Sequence, residues 1–312
     1  MSAGGTATPL VYVVTLNWNR REDTLACLAS LTALAFTNCR LLVVDNGSCD
    51  GSVGAIARAF PSVEVLANEQ NLGFAAGANV GLRHALDHGA EMIFLVNNDT
   101  VVEAGALGEL VRAVQPPDAG IASPKVLYAD APSVIWSVGG GWNPLLLEMT
   151  GGHGRGPDNG RWSDTIERSV LVGCGLLIRR DLLERVGLFD ERFFMYYEDL
   201  DLCLRARRAG YRLLLVPSAK MWHKVAVSSG GRDSPGERYH MARSSVLFFR
   251  KHARSWQVPF IAPYRTASAV KTVTRLLLRR RPDSARAYLR GLRDGLRSHI
   301  SRTESRSVSP LP

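Results

Sequence analysis

Residues 11–45 read VYVVTLNWNRREDTLACLASLTALAFTNCRLLVVD, and their pattern decides the fold class. Two apolar runs, Val11–Leu16 and Arg40–Asp45, enclose a stretch in which Leu25, Leu28, Leu31 and Ala35 recur at three- and four-residue spacing. The outer runs suit buried strands, and the inner spacing predicts an amphipathic helix over 24–34. Strand, helix and strand in that order make a parallel pair, because a helical crossover returns the chain in its original direction. The alternation continues with VEVLA at 63–67 and EMIFLVN at 91–97, each followed by turn residues and then a segment of helical character. The fold class is therefore α/β, a mostly parallel sheet covered by helices.

In such sheets ligands collect beyond the carboxyl ends of the strands. Here all four runs lead into polar residues: Asn17-Trp18-Asn19, Asp45-Asn46-Gly47-Ser48, the stretch 68–74, and Asn97-Asn98-Asp99. A single polar strand end is ordinary turn chemistry, whereas four on one rim make a binding edge. Gly73, Gly77 and Gly81 are spaced by four, and no G-K-[ST] follows any glycine loop, which disfavours dinucleotide and P-loop enzymes. At that spacing the glycines let a helix approach the sheet closely. Asn97-Asn98-Asp99 offers one carboxylate flanked by amides, a set that can hold a hard cation or simply make a turn. Glu198-Asp199-Leu200-Asp201 follows the aromatic run FFMYY at 193–197 and leads into a helical segment. These acids can cap that helix, or a carboxylate desolvated by the aromatic rings can serve as a base. His223, in MWHK, is a lone histidine whose own context favours a structural role.

With 312 residues, 46% hydrophobic and 21% charged, the chain has the composition of an ordinary globular protein, sized for one large domain with a tail. The net charge of +9 is unevenly placed. Residues 250–312 carry fifteen Lys or Arg against three acids, +12, which leaves residues 1–249 at −3. The basic surface is local, and no nucleic-acid partner is expected. After Pro263 the tail predicts two helices broken near Pro282. In the second, Leu289, Leu292, Leu296 and Ile300 form a stripe beside Arg286, Arg290, Arg293 and Arg297, with Gly291 and Gly295 weakening the helix. Such a helix suits an anionic membrane surface, or else covers the domain.

Cys27, Cys39, Cys49, Cys174 and Cys203 are odd in number and form no CxxC, which fits a reducing cytoplasm rather than a disulfide framework or structural zinc. MSAGGTATPL lacks the features of a signal peptide, and the longest apolar run, 170–178, is too short to span a bilayer. The glycine-rich stretch 139–162, with Trp136 just before it and Trp142 and Trp162 within it, reads as a loop system that can wall an acceptor site.

Taken together, these residues resemble the inverting family 2 glycosyltransferases of GT-A fold, particularly their rhamnosyltransferase-like branch. The resemblance runs from about Val11 to Lys251. It rests most on GLFDERFFMYYEDLDLCLRARRAGYR (187–212), supported in the family's order by VVDNGSCDGS (43–52), NLGFAAGANVGL (71–82) and FLVNNDT (94–100). It implies a GT-A domain over 1–250, with a nucleotide-binding half at about 10–125 and an acceptor and catalytic half at about 126–250. A basic amphipathic helical tail then covers 251–312.

The resemblance also implies roles. Asp199 matches the general base, with Glu198 and the wall Gly173-Cys174-Gly175 toward the acceptor. Thr15, Asn17, Asp45, Asn71, Gly73, Phe74, Asn79, Asn97 and Asn98 fall toward the nucleotide sugar. Asp99 would hold a divalent cation, Mg²⁺ or Mn²⁺, with His223 as a second ligand. The family's metal motif usually reads Asp-x-Asp, and Asn97 in place of its first acid puts most of the metal binding on Asp99. Arg243-Ser244 departs from the Arg-Asn that the family often carries. The implied reaction moves L-rhamnose from dTDP-L-rhamnose, or a sugar from a UDP donor, onto a glycan or lipid-linked glycan for cell-surface polysaccharide. It would run in the cytoplasm or at the inner face of the cell membrane. A sugar-nucleotide pyrophosphorylase would need a glycine-rich basic loop after the first strand, which LNWNRRED does not supply. A catalytically silent carbohydrate or membrane adaptor would have lost the base or the metal ligand, and both Asp199 and Asp99 are present.

Overall fold

Alternate residues of the first strand face opposite sides of a sheet, and this sets the layers of the molecule. The computed structural model describes residues 8–151, 153–225 and 233–298; residues 1–7, within the stretch read above for a leader, and Ile300 of the tail stripe lie outside them. The first half runs β1 (Val11–Asn17), α1 (Arg21–Thr32), β2 (Cys39–Asp45), α2 (Ser52–Ala59), β3 (Glu64–Ala67), α3 (Phe74–Asp87), β4 (Met92–Asn97), β5 (Thr100–Val102), α4 (Ala106–Ala113) and β6 (Ala119–Tyr128). In β1, Val11 and Val13 join one core with Leu28, Leu31, Ile56 and Leu107 from α1, α2 and α4. Tyr12 and Val14 join the other with Leu82 of α3 and with Ile93 and Leu95 of β4. Both faces of β1 are thus covered, as its unbroken apolar run requires.

The second half continues with β7 (Val134–Ser137), β8 (Gly141–Asn143), β9 (Glu148–Thr150), β10 (His153–Pro157), β11 (Ile166–Arg168), β12 (Gly175–Arg179), α5 (Arg180–Val186), α6 (Glu198–Arg208) and β13 (Arg212–His223). The sheet order is β10-β7-β6-β12-β4-β1-β2-β3. Strands β3, β2, β1 and β4 are parallel. Strand β12 enters antiparallel between β4 and β6. Strand β13 runs parallel to β6, and its end pairs antiparallel with β5. The stretch 139–162 is not the loop system its composition suggests. It contains β8, β9 and β10, with β8 and β9 forming a separate hairpin. Glycine there serves close approach instead, since a Cβ on Gly140 would come within 2.9 Å of Met149.

Three helices close the described chain: α7 (Pro235–His252), α8 (Val258–Leu278) and α9 (Pro282–Arg297). The Ser234 hydroxyl accepts from the Glu237 N–H at 3.1 Å, and Pro235 fills the first turn of α7, a strong helix start. Pro282 likewise opens α9. Helix α9 docks on α7 through Ala285, Tyr288, Gly291 and Gly295, not through its leucines, and Leu289 and Leu296 stay exposed. A Cβ on Gly291 would sit 2.3 Å from the Tyr239 carbonyl oxygen, so the two glycines admit the backbone of α7 as well as weakening α9. Arg250 then caps α9 by donating to the carbonyls of Gly295, Leu296 and Ser298.

Candidate active site

The strand ends converge on a cavity of about 500 Å³, lined by Asn71, Gly73, Phe74, Asn97, Asn98, Asp99, Gly173, Cys174, Glu198, Asp199 and His223 among others. Pairing explains how residues far apart in sequence meet. β12 aligns Gly175 with Val96, and the Asn97 N–H donates to the Cys174 carbonyl, which sets 173–175 beside 97–99. β13 aligns His223 with Thr100, and the Lys224 N–H donates to the Asp99 carbonyl. His223 Nε2 therefore lies 3.0 Å from Asp99 Oδ1, with both side chains buried.

That contact is not a hydrogen bond. Asp99 Oδ1 and His223 Nδ1 are buried without a hydrogen-bond partner among the described residues. Adjacent ligands in an octahedral shell with bonds of about 2.1 Å are separated by about 3 Å, so the two side chains fit a small divalent cation. Among the described residues no group of three His, Cys, Asp or Glu could hold a metal, so such an ion would need further oxygens from a ligand. Trp136 packs edge-on against His223 with ring centroids 4.7 Å apart, which fixes the imidazole plane.

The second cluster is carried by α6. Tyr196 and Tyr197 both have positive φ, 68° and 71°, a rare and strained conformation for bulky residues. Their loop is tied to α7 at two points. Ser244 Oγ donates to the Met195 carbonyl at 2.8 Å, and Arg243 donates to the Arg192 carbonyl. Ser244 thus acts by positioning the tyrosine loop.

Glu198 and Asp199 then begin the helix with separate surroundings. Asp199 Oδ2 accepts the Gly173 N–H at 2.9 Å and Oδ1 the Leu200 N–H at 2.8 Å. Glu198 Oε2 is buried with no hydrogen-bond partner among the described residues. Burial, reinforced by the neighbouring Asp199 charge, pushes Glu198 well above the usual carboxylate range, so of the two carboxyls Glu198 is the one whose surroundings favour the protonated form. Burial, then Asp99, then Asp199 likewise push the Cys174 thiol up, which marks Cys174 as a neutral spacer between the two acidic clusters.

Five residues expected at the ligand are set behind the cavity wall. Asn17 donates to Asp45 Oδ2 at 2.6 Å and accepts from Thr24, while Asp45 Oδ1 accepts the Ser48 N–H. Both are fully buried, and Thr15 lies buried beside them in β1. Asn79 is consumed by α3 packing: it donates to the Phe189 carbonyl and Glu191, and accepts the Phe189 N–H. Gly175 packs under Met221, where a Cβ would approach the sulfur to 2.5 Å. The Thr15 hydroxyl has no hydrogen-bond partner among the described residues, whereas the other four shape the rim from within, because their polar groups or their space are already used. Asn98 does line the cavity, yet its amide also donates to Asn17 and Thr24.

Sequence reasoning missed much of the lining. Trp18, in the expected rim, and Trp136, one of the tryptophans expected near the acceptor, do line the cavity, but Arg20, Met149, Val172, Met195 and Met241 were not expected there. Trp18, 44% exposed between two polar neighbours, carried a signal in its sequence position, whereas the methionines carried none.

A family model described as Glycosyl transferase family 2 matches residues 12–187. An N-acetylglucosaminyl-diphospho-decaprenol L-rhamnosyltransferase of Mycobacterium tuberculosis is 28% identical over 290 residues, covering 85% of this chain and 92% of that protein. The dTDP-rhamnosyl transferase RfbF of Shigella flexneri is 26% identical over 249 residues, covering 78% of this chain and 80% of that protein. Among solved structures, the mannosyltransferase PcManGT from Pyrobaculum calidifontis, in complex with GDP-Man and Mn²⁺, superposes with a TM-score of 0.58 at 17% identity. That match covers 93% of this chain and 88% of the other.

Proposed function

We propose a specific reaction for this chain, which belongs to glycosyl transferase family 2, has the GT-A fold and is a glycosyltransferase. The reaction is transfer of L-rhamnose from dTDP-L-rhamnose to a hydroxyl of a lipid-linked glycan, at the inner face of the cell membrane, in the synthesis of cell-surface polysaccharide. The observation that carries this reading is one cavity holding the Asp99–His223 pair and the Glu198–Asp199 pair, with the donor's diphosphate assigned to the first and the acceptor hydroxyl to the second. The names of the two curated relatives support the donor, and so does the apolar wall of Met149, Val172, Met195 and Met241, which suits the methyl group of a 6-deoxy sugar. Trp18 and Arg20 flank the nucleotide end, where an exposed ring can stack on a base and a guanidinium can meet phosphate.

In this mechanism Asp199, held by the Gly173 N–H, takes the proton from the acceptor hydroxyl. The oxygen forms a bond to the anomeric carbon as the bond from that carbon to the diphosphate breaks, and configuration inverts. The buried Glu198, keeping its proton, donates a hydrogen bond to the acceptor sugar and leaves the negative charge to Asp199. Asp99 and His223 would hold the divalent cation, which, when bound, neutralises charge on the departing diphosphate. Arg243 and Ser244 keep the tyrosine loop in place around the acceptor.

Thermal stabilisation by a panel of nucleotide sugars, each with and without Mg²⁺ or Mn²⁺, tests the reading. The expected result is a metal-dependent rise in melting temperature with dTDP-L-rhamnose. A response confined to UDP sugars would reject the rhamnose donor, and a response unaffected by chelator would reject the metal pair.

A further inference from the structure

Helix α8 is 21 residues long, about 31 Å at the α-helical rise, yet it buries only Ile261 and Leu276. Its outward side is apolar. Phe260, Tyr264 and Leu278 fall on one stripe at helical spacing, with Val270 and Leu277 along its flank, and each is at least 40% exposed. Leu278 reaches 80%. Large apolar side chains exposed in a row are uncommon on a soluble surface and mark a docking face.

Charge identifies what the face meets. From Arg238 to Pro282 the sequence holds eleven Lys or Arg and no Asp or Glu, and although Arg238, Lys251, Arg265, Arg275 and Arg279 pair with acids of other segments, the stretch stays cationic. Lys271 lies on the outer stripe itself, and Arg280 and Arg281 follow Leu278 at the exposed helix end, beside Arg279, which pairs with Asp233 at 3.2 Å. We propose that the outer face of α8 lies flat on an anionic bilayer, its apolar side chains entering the acyl boundary while the cations meet lipid phosphates. Among the described residues no helix is long and apolar enough to cross a membrane, so the helix rests on the surface.

The position of α8 ties the surface to the cavity. Tyr264 and Arg265 both bind Glu148, and Gln257 donates to the Pro144 carbonyl, so the start of α8 is fastened to the hairpin that carries Met149. Met149 lines the cavity. A lipid-linked acceptor would therefore meet the cavity wall beside the helix that holds the membrane. This link rests on the proposed function, whereas the docking face does not.

The test is flotation of the full chain with phosphatidylcholine vesicles, with and without phosphatidylglycerol, in the absence of donor and acceptor. Binding is expected only with phosphatidylglycerol, weakening as salt rises. The triple variant Val270→Glu/Leu277→Glu/Leu278→Glu changes exposed positions only. It is expected to lose at least about a hundredfold in vesicle partitioning. Its melting temperature and its response to nucleotide sugar should match those of the parent chain. Absence of binding, equal binding to both vesicle types, or a variant that floats like the parent would overturn the assignment. So would a parent dimer that the variant converts to monomer without any vesicle binding, which would make the face a contact between two copies. Because vesicle binding and donor response are read separately, either can fail without the other.

Discussion

Asp201 sits in the turn that opens α6 and has no exposed surface. Its carboxylate receives Arg205 Nε at 2.8 Å, Lys251 Nζ at 2.7 Å and His252 Nε2 at 2.7 Å, which fastens the helix of the catalytic pair to α7. Burial alone would raise its pKa, but the bond from His252 and the charges of Arg205 and Lys251 reverse that and hold it well below the usual range. Burial lowers the pKa of His252 despite Asp201, so the ring is neutral, donating from Nε2 and accepting Arg208 at Nδ1. Asp201→Asn keeps the shape but offers one acceptor oxygen where three donors converge, and it turns an NH₂ toward a cation. Removing one partner from a buried ionic cluster costs about 3–5 kcal/mol. For a chain of this size that is roughly 5–8 °C in melting temperature. Urea unfolding between pH 2 and pH 7 is the assay. The depressed pKa makes the stabilisation complete above the ordinary aspartate value of about 3.9, and it is lost as pH falls through the folded value. Asp190, held at about 2 chiefly by Arg192 and Lys251 against its burial, behaves alike. The variant should therefore lose stability at neutral pH and show a flatter decline in acid. A loss below about 1 kcal/mol at pH 7 would refute the reasoning.

Glu198→Gln removes a carboxyl whose pKa is raised by burial and by the Asp199 charge. Its stability at pH 7 should equal or exceed that of the parent, and the parent's loss of stability as pH rises from about 4.3 toward the raised pKa of Glu198 should vanish in a urea titration. Gly291→Val drives a side chain into the Tyr239 carbonyl and should cost about 1–3 kcal/mol by chemical denaturation. Leu296→Ala, on the exposed side of the same helix, should change stability by less than about 0.5 kcal/mol.

The parallel core was legible because residues 11–45 carry both periods unmixed, and Gly77 and Gly81 pack α3 on the sheet as their spacing suggested. A Cβ on Gly81 would meet Val14 at 2.6 Å and Val44 at 2.9 Å. The stretch 139–162 was illegible because short hairpins in glycine-rich sequence lack a period. The tail was half legible: its two helices followed from Pro282, but a leucine stripe outweighed the glycine face that α9 actually buries. Within the site, sequence could name the amides, Asn17 at a strand end and Asn79 in α3, without saying which way they face. Asn17 and Asn79 turn inward because Asp45, Thr24, Phe189 and Glu191, brought by other elements, take up their hydrogen bonds. His223, bland in sequence, reaches Asp99 only through the pairing of β13 with β5.

The most direct measurement is the rate at which labelled L-rhamnose moves from dTDP-L-rhamnose to a panel of lipid-linked glycans, among them the N-acetylglucosaminyl-diphospho-decaprenol in the mycobacterial relative's name, for the parent chain and for Asp199→Asn, with donor affinity measured in parallel. Metal-dependent transfer is expected from the parent. The variant should transfer about 10²–10⁴-fold more slowly, as loss of a general base requires, while binding the donor within a few-fold of the parent. Transfer by Asp199→Asn at the parental rate would contradict the account.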